Sequence, residues 1–277
     1  MSLPPLPDPL PHPVVDSHCH LDSAQEVSGL DPAEAIEKAA AVGVTKIVQI
    51  GCDLAGARFA VQAAERWDNV IAGVAIHPND AARLRPDELP PALAEIEQLA
   101  RHPHVRAVGE TGLDHYRTRD EDGHRTQRDA FAWHIALAHA TGKTLVIHDR
   151  DANADVLDVL DAEGVPERVV MHCFSGDADF ARACLDRGAW LSYAGPVTFK
   201  PNEHLREALR ITPLDKILTE TDAPYLTPVP FRGRSNASYL IPHTARFLAE
   251  TLDRDLTEVC RALEENAYDA FGGRWGD

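Results

Sequence analysis

Two histidines two residues apart, His18 and His20, close a short β-branched run, Val14-Val15-Asp16-Ser17-His18-Cys19-His20. In an extended strand, residues i and i+2 share a face. This spacing therefore presents two imidazoles to one point, and neutral imidazole is the commonest protein metal ligand. Two-residue pairs recur by chance, so the weight of this one depends on what the rest of the chain supplies. The same grammar, an apolar run ending in a titratable residue, returns further on. Val108-Gly109-Glu110-Thr111-Gly112-Leu113-Asp114 sets Glu110 between two glycines, which leave room for close approach. Leu145-Val146-Ile147 runs into His148, Val169-Val170-Met171 into His172, and Ile217-Leu218-Thr219 into Glu220 and Asp222, which share a face.

Each of these residues alone also fits a structural role: a hydrogen-bonded strand-end histidine, Glu110 as a helix cap, Asp222 in the turn before Pro224. Together, four histidines and two carboxylates at strand ends are costly to bury without a partner. A pair of divalent cations supplies one. His18, His20 and Asp222 form a set for the first ion, His148 and His172 for the second, and Glu110 bridges. Mixed imidazole and carboxylate ligation suits Zn, Mn or Fe better than an all-oxygen cage; Mg can still enter with substrate phosphate oxygens in its shell. Such a pair brings the pKa of a bridging water toward neutrality and makes a hydroxide nucleophile. Asp222 is then the general base, with Glu110 the other catalytic carboxylate.

The elements that would position this set alternate along the chain. Strand-like runs fall near 14–20, 46–51, 70–76, 105–110, 144–148, 168–173, 190–194 and 217–222, each followed by a segment that reads as helix. Asp31-Pro32-Ala33-Glu34 is an N-cap with proline at the first helical position, and Gly43, Gly142 and Gly188 stand where helices should end. The segment from Asp87 aligns Leu89, Leu93, Ile96 and Ala100; the one from Thr126 aligns Phe131, Ile135 and Ala138; the last aligns Leu256, Val259, Leu263, Ala267 and Ala270. Eight such units in 277 residues predict one (β/α)8 TIM barrel rather than an open doubly wound sheet, since no GxGxxG or P-loop follows the first strand. In that fold the C-terminal ends of the strands carry the chemistry, where the residues above fall. The predicted organisation is a proline-rich arm over 1–13, extended and weakly ordered, a barrel domain over 14–271, and a frayed tail over 272–277.

Composition sets bounds. The formal net charge is −17, with 44 acidic against 27 basic residues. That disfavours nonspecific binding to nucleic acid or anionic membranes, yet leaves a phosphate substrate open at a metal site, where bound cations dominate the field. The five cysteines are scattered, without a CxxC pair or disulfide spacing, which predicts a reducing, cytoplasmic setting. Cys19 alternates with the two histidines and should face away from them as an inert buried thiol. No secretory signal and no membrane span is expected, for no apolar run approaches the roughly 20 residues a span needs.

The motifs in combination resemble the TatD-type metal-dependent deoxyribonucleases of the amidohydrolase superfamily. The resemblance runs from Val14 to Phe271. It rests on Asp16-Ser17-His18-Cys19-His20-Leu21-Asp22, Ile76-His77-Pro78, Gly109-Glu110-Thr111-Gly112-Leu113-Asp114, Ile147-His148-Asp149-Arg150, Met171-His172-Cys173-Phe174-Ser175-Gly176 and Glu220-Thr221-Asp222-Ala223-Pro224-Tyr225-Leu226. Pro230-Phe231-Arg232-Gly233-Arg234-Ser235-Asn236 resembles the family's basic loop. The resemblance implies the same six ligands, with Glu110 where other superfamily members use a carboxylated lysine. Because the chain keeps the first His-x-His, it is similar to the two-metal branch. The implied substrate is a phosphodiester, typically DNA cut from a 3′ end, with single-stranded ends as the partner and no obligate protein partner. His77 and Asp114 are expected to support ligands or substrate, with Ser175 and Glu220 close by. Arg150, Arg232 and Arg234 are expected on flanking phosphates, since guanidinium forks match phosphate geometry. Two other readings use the same residues: hydrolysis of an ester, lactone or amide, aminoacyl-RNA bonds included, and a non-catalytic metal-binding scaffold.

Overall fold

The apolar runs become eight parallel strands in the computed structural model, which describes residues 2–276: β1 (Val14–Cys19), β2 (Val44–Gly51), β3 (Val70–Val74), β4 (Val105–Asp114), β5 (Thr144–Arg150), β6 (Val169–Met171), β7 (Trp190–Tyr193) and β8 (Ile217–Thr219). They pair in sequence order as one sheet, with helices covering its outside, a nearly closed (β/α)8 TIM barrel. Strands buried on both faces need continuous apolar runs rather than alternation, and these have them. Val15, Val48, Ile50, Ile71, Val146, Val170 and Leu218 fill one apolar cluster; Val14, Val44, Ile47, Val108 and Ile147 belong to a second, larger one with the helices.

The seam between β8 and β1 matters most for function. The Asp222 amide donates to the His18 carbonyl at 2.9 Å, and the His20 amide donates to the Ala223 carbonyl at 2.9 Å. Fully buried Asp16 accepts from the Thr221 amide at 2.9 Å and its hydroxyl at 2.6 Å. These bonds lock the end of β8 beside the two histidines of β1. The register of β1 on β2 shifts between Asp16 and Cys19, an irregularity of the kind that re-aims side chains at strand ends.

Helix boundaries follow caps more closely than apolar stripes. Asp31 caps the helix Pro32–Ala41 by accepting from the Ala33 amide at 2.9 Å, and Asp255 caps Leu256–Ala270. The helix expected from Thr126 starts earlier, at Glu121, because Asp120 accepts from the Gly123 amide at 2.8 Å; its first turn is polar and so carries no apolar signal.

Both termini depart from expectation. The arm is extended but fastened along its length: Tyr239 Oη donates to the Pro4 carbonyl at 2.7 Å, Arg246 to those of Asp8 and Pro9, and the Leu10 amide to the Val42 carbonyl at 3.0 Å. A proline-rich segment presents carbonyls without matching N–H groups, and side-chain donors of the barrel take them. The tail expected to fray is also held. Trp275 is 7% exposed and packs with Tyr268 and Phe271 against the apolar cluster that holds Val15 and Val48. Arg106 holds the Gly272 and Gly273 carbonyls, and Lys46 that of Gly276. Among the described residues no helix is long and apolar enough to cross a membrane.

Candidate metal centre

Glu110, in the middle of β4, is the hub, and its two oxygens face different partners. Oε1 lies 2.6 Å from His148 Nδ1, 3.0 Å from His172 Nε2 and 3.4 Å from His77 Nε2. Oε2 lies 3.3 Å from His18 Nε2 and 4.0 Å from His20 Nε2. Asp222 Oδ1 joins the second group, 3.3 Å from His20 Nε2 and 3.9 Å from His18 Nε2. The six expected ligands thus meet in one place: His18, His20 and Asp222 lie toward one oxygen of Glu110, and His148 and His172, together with His77, toward the other.

Supporting residues fix the rings. His20 Nδ1 sits 2.9 Å from the Ile50 carbonyl, leaving Nε2 toward Asp222. Glu220, fully buried behind His172, takes His172 Nδ1 and the Cys173 amide, each at 2.9 Å. Such carboxylate-to-histidine contacts set tautomer and ring orientation in metal sites. Asp114 Oδ2 lies 3.3 Å from His148 Nε2 and accepts from Asn79 Nδ2 at 2.8 Å, while Oδ1 accepts from the Arg117 amide at 2.8 Å. Gly112 makes this packing possible: its φ is +140°, and a Cβ there would stand 2.0 Å from the His148 carbonyl oxygen.

Charges in the cluster hold one another. Burial would raise the Glu110 carboxyl, yet the imidazoles of His172 and His77 hold it well below the usual range. Burial would depress His172, but Glu110 and Glu220 outweigh it and hold it well above. His18, like His77, goes the other way. Burial and the neighbouring His172 ring lower it, so it is neutral, and neither ring nitrogen has a hydrogen-bond partner; the 3.3 Å approach to Glu110 lacks the alignment of one. A fully buried imidazole with both nitrogens unpaired is costly, and a cation beside Nε2 would satisfy one of the two. With carboxylates and imidazoles ringed around it, the donor set fits divalent ions of the zinc or manganese type.

The cluster forms the floor of a cavity of about 580 Å³ at the C-terminal ends of the strands. Ser175 and Arg150 line it as expected. Arg232 and Arg234 do not. Arg232 stacks on Phe199, 4.3 Å from the ring centroid, and Arg234 bonds the carbonyls of Ser2 and Leu3 in the arm. The loop that looked like a phosphate grip is instead fastened to the N-terminal segment. Cys19 is buried in the large helix-side cluster, as its alternation predicted. Three residues escaped notice in the sequence: Cys52, whose Sγ is 3.4 Å from Glu110 Oε2, Asn79 and Arg117. Cys52 follows the end of β2 directly and Arg117 lies three residues past the end of β4, and that position was the available signal.

Comparison with known proteins agrees with this geometry. The family model described as TatD related DNase matches residues 15–272. The chain belongs to the TatD family. It is 48% identical over 266 residues to the Mycobacterium tuberculosis protein described as an uncharacterized metal-dependent hydrolase TatD, covering 95% of this chain and 99% of that one. It is 37% identical to the Bacillus subtilis metal-dependent hydrolase YabD, over 92% and 98% of the two chains. Among solved structures, the TatD homologue YjjV of Escherichia coli superposes with a TM-score of 0.85 at 26% identity, covering 94% of this chain and 98% of that one. The TatD family relationship makes this chain a metal-dependent hydrolase.

Proposed function

We propose that the protein hydrolyses phosphodiesters as a deoxyribonuclease, releasing nucleotides from the 3′ ends of single-stranded DNA with two divalent cations bound. The observation that carries this reading is the division of contacts across Glu110: one carboxylate oxygen toward His148 and His172, the other toward His18 and His20. The family model's description as a DNase supports the phosphodiester. Zn, Mn or Mg ions held by His18, His20 and Asp222, by His148 and His172, and jointly by Glu110 would supply an acidified water and neutralise charge on the phosphorus oxygens.

The side chains supply the rest. Asp222 lines the cavity, and its contact with His20 overcomes burial to keep the carboxyl ionised; it accepts the proton of the attacking water. Glu220 and Asp114 are positioning residues that hold His172 and His148. His77 accepts from the Asn79 amide at 3.1 Å through Nδ1 and turns Nε2 to Glu110, which steadies that carboxylate. Ser175 borders the substrate cavity. All five cysteines are free, which supports the reducing, cytoplasmic setting.

The test is release of labelled nucleotide from 3′-labelled single-stranded DNA with Mg, Mn or Zn added, run beside ester, lactone and amide panels. Release that is lost in Glu110→Ala and in His148→Ala is the expected result. Turnover of an ester or lactone with no nucleotide release under any metal would overturn the reading, and inertness toward every substrate would replace it with a metal-binding scaffold.

A further inference from the structure

One wall of the cavity stands out by where its guanidinium groups go. With 44 acidic against 27 basic residues, an arginine of this chain has carboxylates in excess to pair with. Many do pair: Arg58 with Glu95, Arg187 with Asp161, Arg254 with Glu258. Arg83, at the cavity's own mouth, pairs with Asp80 at 3.2 Å. Arg117 and Arg150 line the same cavity, and among the described residues neither guanidinium has a hydrogen-bond or ion-pair partner.

Their placement is built rather than random. Arg150 is the last residue of β5, and its guanidinium lies 3.9 Å from the centroid of the Tyr116 ring. Stacking of this kind orients the planar group and leaves its N–H edge free. Arg117 lies three residues past the end of β4, where its own amide is anchored on Asp114 Oδ1 while its side chain is exposed. Asp114 in turn reaches His148. Both residues thus line the cavity on the β4–β5 side, the side of His148. The opposite wall, with Pro196, Tyr225 and Leu226, contributes no cationic side chain to the cavity.

We propose that Arg117 and Arg150 form a second phosphate site, beside the scissile position, which holds the phosphate of the neighbouring nucleotide. The proposal rests on the phosphodiesterase reading and narrows it. The substrate carries at least two phosphates, as a polynucleotide strand does, and that strand leaves the cavity over the β4–β5 side. The loop of Arg232 and Arg234 takes no part in holding it.

Two measurements test this on the full-length protein and on Arg117→Ala, Arg150→Ala and the double variant. In the first, steady-state kinetics compare oligo-dT with bis(p-nitrophenyl) phosphate, which has one phosphate. Each substitution is expected to raise KM for oligo-dT about tenfold with kcat retained, the loss of one charge-assisted contact, and to leave the small diester unchanged. Equal losses on both substrates, or none on either, would overturn the site. In the second, fluorescence anisotropy of labelled oligo-dT and oligo-U is followed against salt, without turnover. The slope of log affinity on log salt should flatten by roughly 0.7 per arginine removed. Flattening with either strand supports the site, and the tighter strand identifies the sugar; unchanged slopes with both overturn it. If the wild-type protein cleaves no phosphodiester, the functional reading fails, while the anisotropy still decides the phosphate site separately.

Discussion

Acid should weaken this barrel through His134, a residue outside the cluster that braces β4 and the segment after β3. His134 is fully buried in the helix Glu121–Thr141. Its Nδ1 faces the Ala130 carbonyl at 2.7 Å and the Thr111 hydroxyl at 3.1 Å, and its Nε2 accepts from the Ile76 amide at 3.2 Å. Thr111 follows Glu110 and Ile76 precedes His77, so the ring ties the helix layer to the site. Protonation would set a second N–H against the Ile76 amide. Burial accordingly pushes the group from 6.5 down to about 4, against the Ala130 contact, which favours the charged form. The sign follows from linkage. The unfolded chain binds this proton as pH falls through 6.5 and the folded chain only near 4, so the stability is present above that window and is lost on acidification. Between about pH 7.5 and about pH 5 the loss is about 2 kcal/mol, approaching about 3 kcal/mol at lower pH. His134→Gln keeps a donor and an acceptor without titrating. Urea unfolding of both proteins at the two pH values isolates the effect: the advantage of wild type over the variant should shrink by about 2 kcal/mol at the acid value. An advantage that is the same at both would mean that the folded protein does not hold His134 neutral.

Three further perturbations follow from the packing. Glu220→Gln removes the charge behind His172 while keeping its size, and should weaken divalent-ion binding about 10- to 100-fold in a chelator-competition titration with the fold intact; unchanged affinity would deny Glu220 its positioning role. Gly112→Ala drives a Cβ to 2.0 Å from the His148 carbonyl oxygen at a left-handed φ and should lower stability by more than about 2 kcal/mol in urea; a neutral result would mean that β4 and β5 lie further apart. Trp275→Ala should cost about 3 kcal/mol by the same assay, because the ring is buried with Tyr268 and Phe271, whereas a frayed tail would cost almost nothing.

What the chain reveals by reading it is what depends on short-range pattern. Apolar runs with helical connections mark all eight strands, and because a barrel gathers strand C-terminal ends at one mouth, His18, His20, Glu110, His148, His172 and Asp222 could be brought together without coordinates. Caps at Asp31 and Asp255 are legible because a side chain bonds its own neighbouring backbone. Contacts distant in sequence are not legible. Arg234 looked available for phosphate until the arm lay beside it, and Trp275 looked frayed because it reaches residues far back in the chain, among them Asn69 and Arg106. Arg117 gave no motif; its interest arises only from a missing carboxylate in a chain that has many.

The number of divalent ions the protein holds decides whether the proposed two-ion chemistry stands. Metal-stripped protein titrated with Mn or Zn by calorimetry should bind two ions per chain. His18→Ala should reduce the count to one, and Glu110→Ala should weaken both. A single ion in the wild-type protein, or two ions undisturbed by loss of Glu110, would contradict the bridging arrangement on which the proposed chemistry depends.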